Sequence, residues 1–262
     1  MKTSRRKLEE ALWVIGLHGV ARSLYRVTVR GGRQRMALYE SMVGFYRALL
    51  PSGALVFDVG ANVGKFAEVF ASVGGRVVAV EPNSDCMRHI QICYTGQKVE
   101  AIQAAVGPRN GLAVLNLSDE RDDISSLSQE FMGVLEREHP EYKGTWAKRV
   151  TVPVITLDAL IERYGIPDFI KIDVEGFEEF VLDGLSAQPR LLSFEFNAAC
   201  PDVTVRCLDK SVFSPQSLFN FVLGEPTGFE LAGWVQRNEL KAILGGLEKR
   251  DRHGDVFVRR VP

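Results

Sequence analysis

FDVGANVGKF, residues 57–66, ends an apolar run and opens a helix-like one, and its glycines decide which kind of α/β protein this chain forms. A phosphate-cradling P-loop places four residues between its glycines and then Lys-Ser/Thr, because the hydroxyl holds magnesium while backbone N–H groups wrap the phosphates. Here Gly60 and Gly64 are separated by three residues, and Phe66 stands where the hydroxyl belongs. A dinucleotide-binding G-x-G-x-x-G loop needs glycine two residues after the first, so that backbone can approach the pyrophosphate. Asn62 holds that position and Lys65 that of the third glycine. What remains is a tight strand-to-helix turn with room for a ligand and no demand for phosphate.

Outward from this loop the chain alternates. ALVFDVG (54–60), RVVAVEP (76–82), KVEAIQAAVG (98–107) and PDFIKIDVEG (167–176) read as buried strands, and KFAEVFASVG (65–74) and SDCMRHIQICY (84–94) as the helices between the first three. Strands apolar throughout belong to a parallel sheet covered on both faces. GLAVLNLS (111–118), RVTVPVITL (149–157), RLLSFEFN (190–197), FELAGWVQ (229–236) and DVFVRRV (255–261) read as further strands. DALIERYG (158–165), EEFVLDGL (178–185) and SPQSLFNFVLG (214–224) read as helices. The long polar stretch 119–146 reads as an insertion or lid, with Phe131 and Trp146 as lid residues and Asp122, Asp123, Ser125 and Ser126 as groups able to touch a ligand.

The chain is 262 residues long and carries a net charge of −1, too little for a strong field toward nucleic acid or membrane. The charge is uneven, since ten basic residues against three acidic ones give residues 1–50 a net +7. We therefore divide the chain into a basic, mainly helical extension (1–50), with an amphipathic helix over 5–22 and a second helix over 37–50, and a main domain (51–262). The four cysteines form no C-x-x-C pair, so zinc and redox motifs have no support, and the reducing cytoplasm is the expected compartment. No stretch has the roughly 18 apolar residues that span a bilayer. Cys86 and Cys93 are expected to pack and His89 to lie on the surface.

Glu81 ends the second strand 23 residues after Asp58, where an acidic side chain can accept hydrogen bonds from both ribose hydroxyls. An adenosine joined to an amino acid, with its carboxylate near the loop amides, meets these requirements, and S-adenosylmethionine is that molecule. FDVGANVGKF, VVAVEPN and FIKIDVEGFEEFVLDGL together resemble the FkbM-type methyltransferases from about residue 38 to the end of the chain. The resemblance implies a Rossmann-like, seven-stranded, mostly parallel sheet with helices on both faces, dependence on S-adenosylmethionine, and O-methylation of small molecules or sugars. The candidate cofactor-binding residues are Asp58, Gly60, Asn62, Gly64, Glu81 and Asp173.

Ligands of open α/β sheets lie beyond the carboxyl ends of the strands. Asp173 and Glu175, after FIKI, are the candidate catalytic residues, with Asp173 as base, acceptor-orienting group or ligand of the cofactor ammonium. Lys171 points to the same face as Asp173, one step deeper, with Asp58 as its candidate partner. Asp173 with Glu195 and Asn197 also resembles the magnesium-binding set of catechol-type O-methyltransferases. Two other readings stand beside this one: a methyltransferase acting on nucleic acid or protein, and a domain that binds the cofactor without catalysis. Enzymes that methylate base amines place Asn/Asp-Pro-Pro-aromatic where this chain has DVEGF, so nucleic acid is not the expected partner. The basic extension is equally able to dock on its own acidic body or on a second copy.

Overall fold

The computed structural model describes residues 11, 32–94, 98–118, 124–197, 200–247 and 253–261. Of the expected helix over 5–22, Ala11 is described, and it is helical; the rest lies outside the described residues. A helix, α1 (Gly32–Leu49), leads into β1 (Leu55–Val59), α2 (Lys65–Ser72), β2 (Arg76–Val80), α3 (Ser84–Cys93) and β3 (Val99–Ile102). Then come the short β4 (Ala105–Val106), β5 (Gly111–Leu117), α4 (Gln129–Glu138), β6 (Lys148–Ile155), α5 (Leu157–Tyr164), β7 (Phe169–Ile172) and α6 (Glu178–Leu182). The chain closes with β8 (Leu191–Asn197), α7 (Pro201–Leu208), β9 (Leu218–Leu223), α8 (Arg237–Gly246) and β10 (His253–Arg259).

The main sheet has seven strands in the order β3-β2-β1-β7-β8-β10-β9. The first five are parallel, and β10 enters antiparallel between β8 and β9. Every residue of β1 and β7 is buried, the charged Asp58 and Lys171 among them, as in strands covered on both faces. Alternation divides them. Leu55, Phe57, Val59, Ile170 and Ile172 pack toward α5, α6 and α7, whereas Val56 and Phe169 pack toward α1 and α2. Helix α1 is part of this second layer, since Met42, Val43 and Tyr46 are buried against Phe70 and Phe169. The architecture is a Rossmann-like, mostly parallel sheet with helices on both faces, and strand order reverses at β1, beside β7. That reversal opens a crevice at their carboxyl ends.

Three expected elements are corrected, and two expected side-chain positions. Residues 98–107 are not one strand: the chain turns after Ile102, and β4 joins a separate small sheet, β4-β6-β5. Residues 214–224 are not a helix. Leu218–Leu223 pairs with β10, because LFNFVL satisfies the two-residue period as well as the helical one, and Phe219 and Phe221 fill the core while the Asn220 side chain bonds Leu231 and Gly233. Residues 229–236 consequently form bends with one isolated bridge, Phe219–Val235, and no strand. The sequence reading also missed α4, α7 and α8. His89 is buried rather than on the surface, with Nδ1 3.9 Å from the Cys93 sulfur. Phe131 is core rather than lid, and the Trp146 indole donates to the Ile124 carbonyl at 2.7 Å.

Candidate active site

The loop after β1 is built for close approach. Gly60 has φ +81°, and a Cβ there would stand 1.7 Å from the Asp173 carbonyl oxygen, so glycine lets the β1 loop meet the end of β7. The N–H groups of Gly60 and Ala61 both reach the Val80 carbonyl, at 2.9 and 3.1 Å, and fix the loop to β2. Glu81 completes the anchor. Its carboxylate accepts from Asn62 N–H at 2.9 Å and from Asn83 N–H at 2.8 Å, which holds Asn62 in a left-handed conformation, φ 49°.

Beside this loop lies a cavity of about 360 Å³, within the range of small-molecule sites. Gly60, Asn62, Glu81, Asp173 and Glu175 line it. Asp58 and Gly64 do not. Asp58 is buried behind the loop, where the Ala67 N–H of α2 faces it, and a Cβ on Gly64 would strike the Tyr94 ring at 2.6 Å. These two residues shape the loop from behind. The lining is of two kinds, apolar at Ala104, Ala105, Val106, Leu115 and Leu127 and charged at Lys65, Asp173, Glu175 and Glu225. Residues 104–106 follow β3 at one edge of the sheet, whereas Asp173 and Glu175 follow β7 and Glu225 follows β9, on the other side of β1. Ser125 also lines it, while the Ser126 hydroxyl donates to the Glu175 carbonyl at 2.7 Å and holds the loop after β7. Asp122 and Asp123 lie outside the described residues.

A buried polar stripe runs across the sheet beneath the charged end. Lys171, 1% exposed, donates to Asp173 at 2.6 Å and stands 3.6 Å from Asp255 of β10. The expected contact with Asp58 is not made. The two residues are register partners, yet the lysine turns toward the strand end, and Asp58 Oδ2 has no hydrogen-bond partner. Burial pushes the Asp58 carboxyl up to about 7 despite the opposing charge of Lys171. Lys171 itself stays charged because Asp173 and Asp255 outweigh its desolvation. Its ammonium also sits 4.3 Å from the Phe66 ring centroid.

Asp173, Glu175 and Glu195 bring one carboxylate oxygen each within 4.8 Å of the others, a group able to hold a divalent cation. Asn197 ends β8 two residues beyond Glu195, and both line a small second cavity with Glu178. Glu178 accepts the N–H groups of Val174 at 3.1 Å and Gly176 at 3.2 Å. Burial and the charge of Glu195 hold its carboxyl well above the usual range. Glu195 is raised by burial and by Asp173, partly relieved by His253 at 3.4 Å. A carboxyl raised on folding stabilises the fold below its unfolded value and loses that contribution as pH rises through the folded one. Denaturant titrations are therefore expected to show stability falling between about pH 5 and 8, with Glu178→Gln flattening the slope.

The sequence reading found the β1 loop, Glu81 and the β7 end. It missed Lys65, Glu225, Glu178, His253 and Asp255 as members of the site. Asp255 carried a usable signal, an acid inside the apolar strand HGDVFVR, whereas His253 carried none.

Residues 58–214 match the family described as the methyltransferase FkbM domain. No curated protein matches the chain. Among solved structures, a precorrin-6y C5,15-methyltransferase from Geobacter metallireducens is similar at 11% identity and a TM-score of 0.40, over 84% of this chain and 88% of that one. An rRNA methylase from Streptococcus thermophilus is similar at 10% identity and 0.41, over 84% and 94%. An O-methyltransferase from Bacillus cereus, in complex with SAH, is similar at 13% identity and 0.39, over 92% and 97%. The family match covers more than half of the chain and spans the β1 loop, Glu81 and the β7 end, so this protein belongs to the FkbM methyltransferase family, of the S-adenosylmethionine-dependent type.

Proposed function

We propose that the protein transfers a methyl group from S-adenosylmethionine to a hydroxyl oxygen of a small molecule or sugar, with Asp173 as base or orienting group and Glu175 as the second candidate. The observation that carries the reading is the Asp173 carboxylate, which lines the cavity at its charged end while buried Lys171 holds it at 2.6 Å. Gly60, Asn62 and Glu81 are the cofactor-facing residues on this reading, and Ala105, Leu115 and Leu127 give adenine an apolar wall. When bound, the cofactor supplies an electrophilic methyl carbon on a sulfonium. Asp173 would orient the acceptor hydroxyl toward that methyl and take up its proton as the oxygen is methylated. Incubating the protein with labelled S-adenosylmethionine and extracts of the source organism, followed by mass analysis, is expected to reveal an acceptor heavier by one methyl. Extracts with no such species would remove the small-molecule reading.

Glu81→Ala is expected to weaken S-adenosylhomocysteine binding in calorimetry by about 1.5–3 kcal/mol, the scale of a hydrogen bond to a charged group. It also frees the Asn62 and Asn83 amides. NAD and ATP are expected not to bind at comparable concentration.

The group formed by Asp173, Glu175 and Glu195 supports a second reading, in which magnesium lowers the acceptor's pKa. The cation would compete with Lys171 for Asp173. On this reading a chelator abolishes turnover and magnesium restores it, whereas full activity after chelation leaves Asp173 as a metal-free base.

A further inference from the structure

At the charged end of the cavity, Lys65, the first residue of α2, forms an ion pair with Glu225, just beyond β9. Both residues line the cavity, and their side chains keep 47% and 38% of their exposure. Among the described residues lining the cavity, Lys65 is the one base, against the carboxylates of Glu81, Asp173, Glu175 and Glu225. Two of the other three carboxylates are engaged already. Glu81 is bound by two backbone N–H groups and Asp173 by Lys171. An ion pair as exposed as Lys65–Glu225 adds little stability, so its members exchange partners at small cost.

We infer that Lys65 and Glu225 form the subsite for the amino-acid end of the cofactor: the ion pair opens, Lys65 takes the α-carboxylate and Glu225 the α-ammonium. The inference rests on S-adenosylmethionine occupying this cavity as proposed above. A zwitterion brings one charge of each sign, and the exchange conserves charge, with two intermolecular pairs replacing one intramolecular pair. Orientation follows from the polarity of the walls. Ala105, Leu115 and Leu127 at the far end offer a charged group no partner, whereas they suit a purine face. Asp173 then stays on Lys171 and remains available to the acceptor. The cofactor head would also bridge α2 to the segment after β9, a tie the ion pair makes directly in its absence.

Calorimetry on the full chain tests this with S-adenosylhomocysteine, its decarboxylated aminopropyl analogue, and 5′-methylthioadenosine, which lacks the amino-acid chain. The unmodified protein is expected to prefer S-adenosylhomocysteine to the decarboxylated analogue by about 10-fold or more. Lys65→Met is expected to weaken S-adenosylhomocysteine by a like factor and to bring the two ligands within about threefold, while Lys65→Arg keeps most of the preference. Glu225→Gln should weaken both ammonium-bearing ligands alike. Binding of 5′-methylthioadenosine should be unchanged throughout, which shows that the variants are folded. A Lys65→Met protein that retains the full preference for the carboxylate overturns the subsite. Failure of the unmodified protein to bind any of the three ligands would instead sink the cofactor assignment of the cavity.

Discussion

Asp173→Asn is expected to lower turnover about 10²–10⁴-fold while S-adenosylhomocysteine affinity changes little, if Asp173 is the base. The substitution keeps volume and an acceptor oxygen for Lys171, and it removes the charge that would receive a proton. It also removes the negative partner of a buried ammonium, leaving Asp255 at 3.6 Å as the remaining carboxylate in contact with Lys171. Melting curves should accompany the kinetics for that reason. Loss of cofactor binding in proportion to turnover would make Asp173 a ligand of the cofactor ammonium and move the search for a base to Glu175 and Glu195.

Gly60→Ala is expected to be the most damaging single change in the β1 loop, costing about 3 kcal/mol or more of stability in chemical denaturation. Two effects add. The residue has φ +81°, which L-amino acids adopt reluctantly, and the new methyl would meet backbone, 1.7 Å from the Asp173 oxygen and 2.8 Å from its carbonyl carbon. Backbone cannot swing aside as a flexible side chain can, so β1 and β7 must separate at the carboxyl ends where the cavity opens. Gly53→Ala, at φ +75° with nothing within 4 Å of its Cβ, isolates the first effect. Equal losses at the two glycines would show that the Gly60 contact with β7 contributes nothing.

Much of this was legible because it is local. The strand–turn–helix of residues 55–72, Glu81 at the end of β2 and the acidic end of β7 follow from short-range pattern, and of the candidate cofactor-binding and catalytic residues all but Asp58 and Gly64 reach the cavity wall. Of the two partners of Lys171, Asp173 lies two residues along on the same face, but the contact with Asp255 was not legible. It depends on β10, the last strand in sequence, entering between β8 and β9, and no spacing near residue 171 encodes that insertion. The stretch 214–236 failed for another reason: LFNFVL fits both periods, and the choice was made by Asn220, whose amide holds residues 231–233 beside the strand. The apolar end of the cavity was equally hidden, since Leu115 comes from the small sheet and Leu127 from the stretch read as a lid.

The buried lysine in β7 also settles how the strands must line up. Lys171 lies opposite Asp58 on one side and Ser193 on the other, and its ammonium reaches Asp255 two strands away. Sliding β7 by a single residue would turn it over, sending the ammonium into the apolar layer beneath α5 and α6 and stranding Asp58 and Asp255 on the opposite face. An aliphatic strand such as FIII would tolerate that slip far better, because either face would find hydrocarbon. A cation set in the middle of the sheet thus acts as a registration pin, penalising misaligned assemblies by several kcal/mol more than it need contribute to the correct one.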